Sequence, residues 1–178
     1  MQIFETSRLR CHSLSLTEYS DFEAGIEPKW EGFTNPHKHL VDGPSPLAFR
    51  IPKVKADPSF AEIGIILAIC KSESKVVGSA GFHDFPDEKR GMIEIGFGIV
   101  PEMQNQGFGQ ELLIGMWNTI CKRPDVKVLR YTVSPDNAPS MHIINKLGFT
   151  KVGEQMDPED GLELFFEKST AEFLSGGR

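Results

Sequence analysis

The chain has 178 residues, a length that suits one domain with a substantial core, so 1–178 is read as a single unit of function. Its hydrophobic fraction of 39% and charged fraction of 25% are ordinary for a soluble globular protein. A formal net charge of −6 argues against general binding to nucleic acid or anionic membranes and favours a cationic amine as partner, while local amides can still hold an anionic ligand.

Arg8 to Leu16 reads as a first strand. Thr17, with Glu18 and Asp21 beside it, reads as the N-cap and acidic first turn of a helix to about Gly25. The segment from Pro28 to Phe60 holds six of the twelve prolines and is expected to be loops with one or two short helical pieces. His37-x-His39 lacks a third ligand at metal spacing, so no metal site is expected there. Ile63 to Lys71 is a continuous apolar run, as in a buried strand. After the turn Ser72-Glu73-Ser74, Lys75 to Phe85 predicts the next strand, and Pro86 to Gly91 a polar turn. Ile93, Ile95, Phe97 and Ile99 alternate with Glu94, Gly96 and Gly98, the period of a strand with one buried face. Residues 63–99 thus predict a three-stranded antiparallel meander.

Pro101 ends that strand because it has no N–H to give. Gln104-Asn105-Gln106-Gly107-Phe108-Gly109 follows, then an apolar stripe at helical spacing, Leu112, Leu113, Met116, Trp117 and Ile120. Amides at a helix start have no internal partner and sit at the positive end of the helix dipole, so a Gly-rich turn here is an anion cradle or a connection that uses Gly for geometry alone. It is neither a P-loop nor a G-x-G-x-x-G fingerprint. Lys127 to Ser134 predicts a further strand, apolar at Val126, Val128 and Val133. Asn137 or Pro139-Ser140 starts a helix through Leu147 that Gly148 caps. Phe149 to Gln155 and Leu162 to Lys168 predict a closing hairpin around 157–161, and Ser175 to Arg178 a frayed tail.

Cys11, Cys70 and Cys121 are scattered and lack C-x-x-C spacing, which reads as reduced thiols in a cytoplasmic protein. Met1 opens no charged-then-apolar leader pattern, and the longest apolar run, 63–70, is too short to span a bilayer, so no membrane partner is expected.

Gln104-x-x-Gly107-x-Gly109 after an Ile/Phe-rich strand resembles the acetyl-CoA pyrophosphate loop of the GNAT superfamily of N-acetyltransferases. Asn137-Ala138-Pro139-Ser140 leading to Lys146-Leu147-Gly148-Phe149 is similar to its second signature, and Thr6-Ser7-Arg8-Leu9-Arg10 resembles the opening strand of the RimJ/RimL-type branch. The resemblance implies an α/β fold with a mixed, mostly antiparallel, twisted sheet flanked by helices. It implies acetyl-CoA as co-substrate, an amine acceptor (a protein N-terminus or a small molecule), and a homodimer. It also implies that the Pro28–Phe60 segment, with Trp30, Phe33 and Phe49, lies over the acceptor side.

Acyl transfer to an amine needs a held donor, a deprotonated amine and a stabilised leaving thiolate. Backbone amides of Gln106, Gly107, Phe108, Gly109 and Gln110, with Gln104 and Asn105 in the same turn, are the expected diphosphate holders. The resemblance implies that the pantetheine arm pairs with backbone near Ile99 and Val100, where Gly96 and Gly98 leave a strand face bare or merely relieve crowding. Asn137 is a pantetheine ligand, a helix cap, or both. Glu94 is the first candidate base, with His83 and Asp84 behind it. The family's usual Tyr falls at Ile144 here; Asn137-x-x-Ser140 instead resembles the RimJ/RimL-type branch, and that resemblance implies Ser140 as the thiol partner, with helix capping as its other reading. No covalent acyl-enzyme is expected. Two rival readings differ in class: a non-catalytic acyl-CoA-binding sensor or partner module of the same fold, and a nucleotide binder without CoA.

Overall fold

The computed structural model describes residues 2–42, 45–158 and 161–176. Pro44, Glu159 and Asp160 of the predicted loops, and Gly177 and Arg178 of the predicted tail, lie outside them. The chain divides into two compact units, Met1–His83 with Phe97–Met116, and Asp84–Gly96 with Trp117–Arg178.

The first unit is built on strands β1 (Gln2–Glu5), β2 (Leu9–Ser13), β3 (Ile66–Cys70) and β4 (Lys75–Phe82), antiparallel in that order. The strand expected from Arg8 to Leu16 is shorter, and β1 precedes it, a four-residue strand too short for a periodic signal. Strand β2 buries Leu9, Cys11 and Ser13, while β3 is buried at every position, which is why it reads as an unbroken apolar run. Helix α1 (Leu16–Glu23) starts one turn edge earlier than predicted. Ser15, not Thr17, is the N-cap: its hydroxyl accepts from Glu18 N while the Glu18 carboxylate accepts from Ser15 N, a capping box. In the proline-rich segment α2 (Leu47–Ala56) is followed by a 3₁₀ turn, Pro58–Phe60, and the short α3 (Ala61–Gly64), which takes the start of the run expected to be strand.

Strand β5 (Met92–Ile99) supplies its early residues to the second unit and its end to the first. Helix α4 (Phe108–Ile120) divides the other way, its start in the first unit and its end, from Trp117, in the second. In the second unit β5 pairs parallel with β6 (Val128–Val133), β6 pairs antiparallel with β8 (Gly161–Ser169), and β8 with β7 (Thr150–Asp157). Mixed, mostly antiparallel strands with flanking helices are therefore what the chain forms. On β6 the buried set is Leu129, Tyr131 and Val133, so Val128 is half-buried rather than a core residue. Helix α5 (Ala138–Lys146) is closed by Leu147 and by Gly148 at φ +67°. Ser175 and Gly176 close a last helix, α6 (Thr170–Gly176), instead of fraying: Ser169 and Glu172 bond reciprocally across its start. No helix among the described residues is long and apolar enough to cross a membrane.

Candidate active site

At the end of β5 the chain turns through Pro101–Met103 and enters α4 by way of two left-handed residues, Asn105 (φ 59°) and Gly107 (φ 81°). Glu111 N is bonded one turn back to Gly107 O at 3.1 Å, so the amides ahead of it stand before the helical ladder begins. Residues Gln104 to Gly107 are exposed, and Gly109 and Gln110 are half-buried. Main-chain donors in an exposed turn at the positive end of a 13-residue helix are what a diphosphate requires.

What fixes this turn is a charged staple from the first strands. The Arg8 guanidinium lies 4.3 Å above the Phe108 ring, donates to Gln106 O at 2.8 Å, and pairs with Glu111 at 2.6 Å. Glu111 also accepts from Arg8 N (2.7 Å) and from the Thr6 hydroxyl (2.5 Å). The carboxylate nearest the helix start is thus committed to β1–β2 partners. Burial raises its pKa, but the bonds from Thr6 and Arg8 outweigh that and hold it below the ordinary carboxylate value. Thr6-Ser7-Arg8 was legible as a motif, yet its role as a staple was not. An acid in the first turn of α4 was the one signal available.

At the end of β5 the backbones run close. A Cβ on Gly78 would sit 2.2 Å from Gly98 O, whereas one on Gly98 would meet nothing within 4 Å. Both backbone groups of Val100 have partners, N–H to Val77 O at 3.0 Å and C=O from Met103 N at 2.9 Å. The Gln104 side chain donates to Ile99 O at 2.9 Å, so this glutamine braces the strand end. Gly98 thus faces open space where a side chain would stand, just before the pair Ile99 and Val100.

In the second unit Asn137 is the N-cap of α5, its Oδ1 accepting from Ser140 N at 3.1 Å. Ser140 is 8% exposed, and its Oγ accepts a hydrogen bond from the Tyr131 hydroxyl at 3.0 Å. Burial raises the Tyr131 phenol above its usual range, with the Ser140 bond pulling weakly the other way. Ile144 is wholly buried core. The pairing of Tyr131 with Ser140 was missed from sequence; its signal was the alternation that puts Tyr131 on the buried face with Leu129 and Val133. Glu94 is half-buried and registers opposite Arg130 on β6. Arg130 and Arg90 both hold Glu167, at 2.5 Å each. His83 and Asp84 are exposed.

The proline-rich segment separates its aromatics. Trp30 stacks on Phe33 at 5.3 Å, and both line a cavity of about 460 Å³ with Arg10, His12, Glu18 and Asp21. Phe49 is 69% exposed on α2. Burial lifts Glu18, but hydrogen bonds from His12 and Ser15 outweigh it and take the pKa to about 2. His37 Nδ1 faces Glu102 at 3.4 Å, and His39 Nε2 faces the Ser79 hydroxyl at 2.8 Å. Burial lowers the His39 pKa to about 4, so the ring is neutral at physiological pH. Burial pushes the Cys11 thiol up to about 12 and Cys121 to about 11, the reverse of an activated nucleophile.

Residues 36–150 match the model of the acetyltransferase (GNAT) domain, and the chain belongs to that family. A curated relative, the uncharacterized N-acetyltransferase p20 of Bacillus licheniformis, is 29% identical over 91 residues, 51% of each chain. The chain thus spans about half the length of that relative. Two solved structures share the fold at low identity. Spermidine/spermine N-acetyltransferase SpeG of Vibrio cholerae has a TM-score of 0.67 at 11% identity, covering 97% of this chain and 98% of that one. RimL, a ribosomal L7/L12 alpha-N-protein acetyltransferase solved with coenzyme A, has a TM-score of 0.66 at 14% identity, with coverages of 95% and 98%.

Proposed function

We propose that the chain is an acetyl-CoA-dependent N-acetyltransferase of the RimJ/RimL-type branch, one acetyltransferase domain acting in the cytoplasm as a homodimer. The acetyl group passes directly to an amine, a protein N-terminus or a small molecule. The observation that carries this reading is the exposed, left-handed turn at Gly107, stapled by Arg8 and Glu111 and matched by the family model.

Amides from Gln106 to Gln110 hold the diphosphate, with Gln104 and Asn105 setting the turn. Backbone beside Gly98 aims the thioester, since both backbone groups of Val100 are already paired within the fold. Glu94 takes the ammonium proton, directly or through water. The neutral amine then attacks the carbonyl carbon, a C–N bond forms, and the C–S bond breaks with its electron pair on sulfur. Ser140 donates a hydrogen bond to that sulfur and keeps its own proton, and the N–H proton lost by the amine ends on the thiol. Asn137 holds the Ser140 turn and reaches the pantetheine amide. The branch assignment leans on Thr6–Arg10 and on Asn137-x-x-Ser140. The relatives that act on spermidine and on a ribosomal protein N-terminus share this fold, so acceptor choice rests with the segment 28–60 and not with the scaffold.

Thermal-shift measurements with acetyl-CoA, CoA, ATP and NAD, followed by thiol release with a panel of N-terminal peptides, polyamines and amino sugars, test the reading. Stabilisation by acetyl-CoA and amine-dependent thiol release are expected. Stabilisation by CoA without release under any amine makes the chain a non-catalytic acyl-CoA-binding module. Stabilisation by ATP or NAD alone removes the CoA assignment.

A further inference from the structure

The buried Tyr131–Ser140 pair has a direction, and the direction has consequences. Tyr131 is 5% exposed on β6 and Ser140 is 8% exposed in the first turn of α5. The phenol donates and the serine oxygen accepts, at 3.0 Å. The Ser140 main-chain N–H is already committed to Asn137 Oδ1. A serine in the first turn of a helix commonly turns its hydroxyl back onto a carbonyl three or four residues earlier, here Asn137 O or Asp136 O. A hydroxyl that accepts one hydrogen bond keeps its own proton to donate, and the bond from Tyr131 fixes where the Ser140 oxygen sits. A phenol raised by burial stays protonated across the working pH range, so the donor is permanent.

We infer that Tyr131 is a positioning residue for acyl transfer, holding the Ser140 hydroxyl so that its proton is presented to the departing thiolate. The inference rests on the proposed acetyltransferase reading and on the role given there to Ser140. Ile144, one turn on from Ser140, is sealed in the core and presents no donor of its own. Tyr131 itself gives up no proton. It polarises the serine hydroxyl, and a donor that is itself hydrogen-bonded as an acceptor is the stronger for it.

The test is a double-mutant cycle on the full chain with Tyr131→Phe and Ser140→Ala. Tyr131→Phe keeps the ring and removes only the hydroxyl. It is expected to lower kcat about three- to tenfold with KM for acetyl-CoA unchanged. Ser140→Ala is expected to lower kcat further, and Tyr131→Phe to have no effect in the Ser140→Ala background. Equal losses from Tyr131→Phe in both backgrounds, or a rise in KM alone, would overturn the inference. If Tyr131→Phe melts far below wild type, 3-fluorotyrosine at position 131 keeps the shape and changes only donor strength. A shifted kcat there supports the positioning role, and an unchanged one overturns it. A wild-type chain that releases no thiol with any amine defeats the acetyltransferase reading separately. The pair is then judged from a crystal structure of Tyr131→Phe with CoA. A Ser140 hydroxyl rotated onto Asp136 O or Asn137 O upholds the inference, and one left in place overturns it.

Discussion

Two helix starts in this chain are built on opposite plans. The start of α4 is held from outside by charge. Arg8 and Thr6 bind Glu111, Arg8 caps the Phe108 ring, and the turn at Asn105 and Gly107 is left-handed and exposed. The start of α5 is held from inside by neutral groups. Asn137 satisfies Ser140 N, and Tyr131 fixes Ser140 Oγ from the core. The first plan removes a carboxylate from the helix start and leaves main-chain donors to meet an anion. The second plan satisfies the main chain and leaves a hydroxyl to meet a smaller, softer charge. On the function proposed above, the first start would receive a diphosphate and the second a thiolate.

The comparison breaks most sharply at Gly107. A residue with a Cβ at φ 81° costs about 1–2 kcal/mol, more when β-branched, and the new atom would lie 3.3 Å from Arg8 Nη2. Gly107→Val is expected to weaken acetyl-CoA binding about 10- to 30-fold by isothermal titration, with the helix content unchanged in circular dichroism. Binding within twofold of wild type would mean that this turn does not grip the ligand.

Arg8→Ala comes next. It frees Glu111, so a carboxylate returns to the neighbourhood of the bound anion while the brace on Gln106 O is lost. KM for acetyl-CoA is expected to rise about tenfold with kcat little changed, since the lost interaction is uniform binding. Arg8→Lys keeps the charge and not the planar fork over Phe108, and should recover only part of the loss. The Arg8 side chain is 45% exposed, so solvent screens much of the pair and salt should narrow the difference between variant and wild type.

How much of this was readable in advance follows the same division. Strands and helices with strong periodicity, β3, α4 and the first half of β5, were visible because burial on one or both faces writes itself into the residue order, whereas Phe97 and Ile99 of the expected buried face are only half-buried. Local caps were half visible: Asn137 was recognised, whereas α1 was assigned Thr17 because Ser15, the true cap, lay inside the stretch read as strand. Long-range pairs were not visible at all. Arg8 and Glu111 are 103 positions apart, and no period links them. Tyr131 and Ser140 are close in sequence, but they belong to a strand and a helix whose relative placement only folding supplies. The site was thus legible as turns and unreadable as the contacts that hold the turns.

Asn137 is where the two readings of one residue separate. Asn137→Ala removes a cap, which costs about 1 kcal/mol, and in a chain of this size should lower Tm by roughly 2–4 °C. Asn137→Asp keeps the oxygen that accepts from Ser140 N and should hold Tm near wild type. If the side-chain amide also touches pantetheine, Asn137→Asp loses turnover while keeping Tm. Equal Tm and equal kcat would leave capping as its whole role.

Acid produces the smallest effect and discriminates best between the two starts. Glu111 is depressed in the folded chain, so its contribution is fully present above the ordinary carboxylate pKa of about 4.5 and drains away as pH falls below it. Neither Asn137 nor Ser140 titrates, and Tyr131 is raised further from that range. Hydrogen exchange at pH 6 and pH 4, corrected for the intrinsic rate, should therefore show amides from Glu111 onward in the first ladder turn of α4 losing protection while 140–142 keep theirs. Glu111→Gln should remove most of the pH dependence at the first start, because the amide neither ionises nor pairs with Arg8 as a carboxylate does. If both starts loosen together on acidification, the charged staple is not what holds α4, and the contrast between an externally braced anion turn and an internally braced hydroxyl fails at its first term.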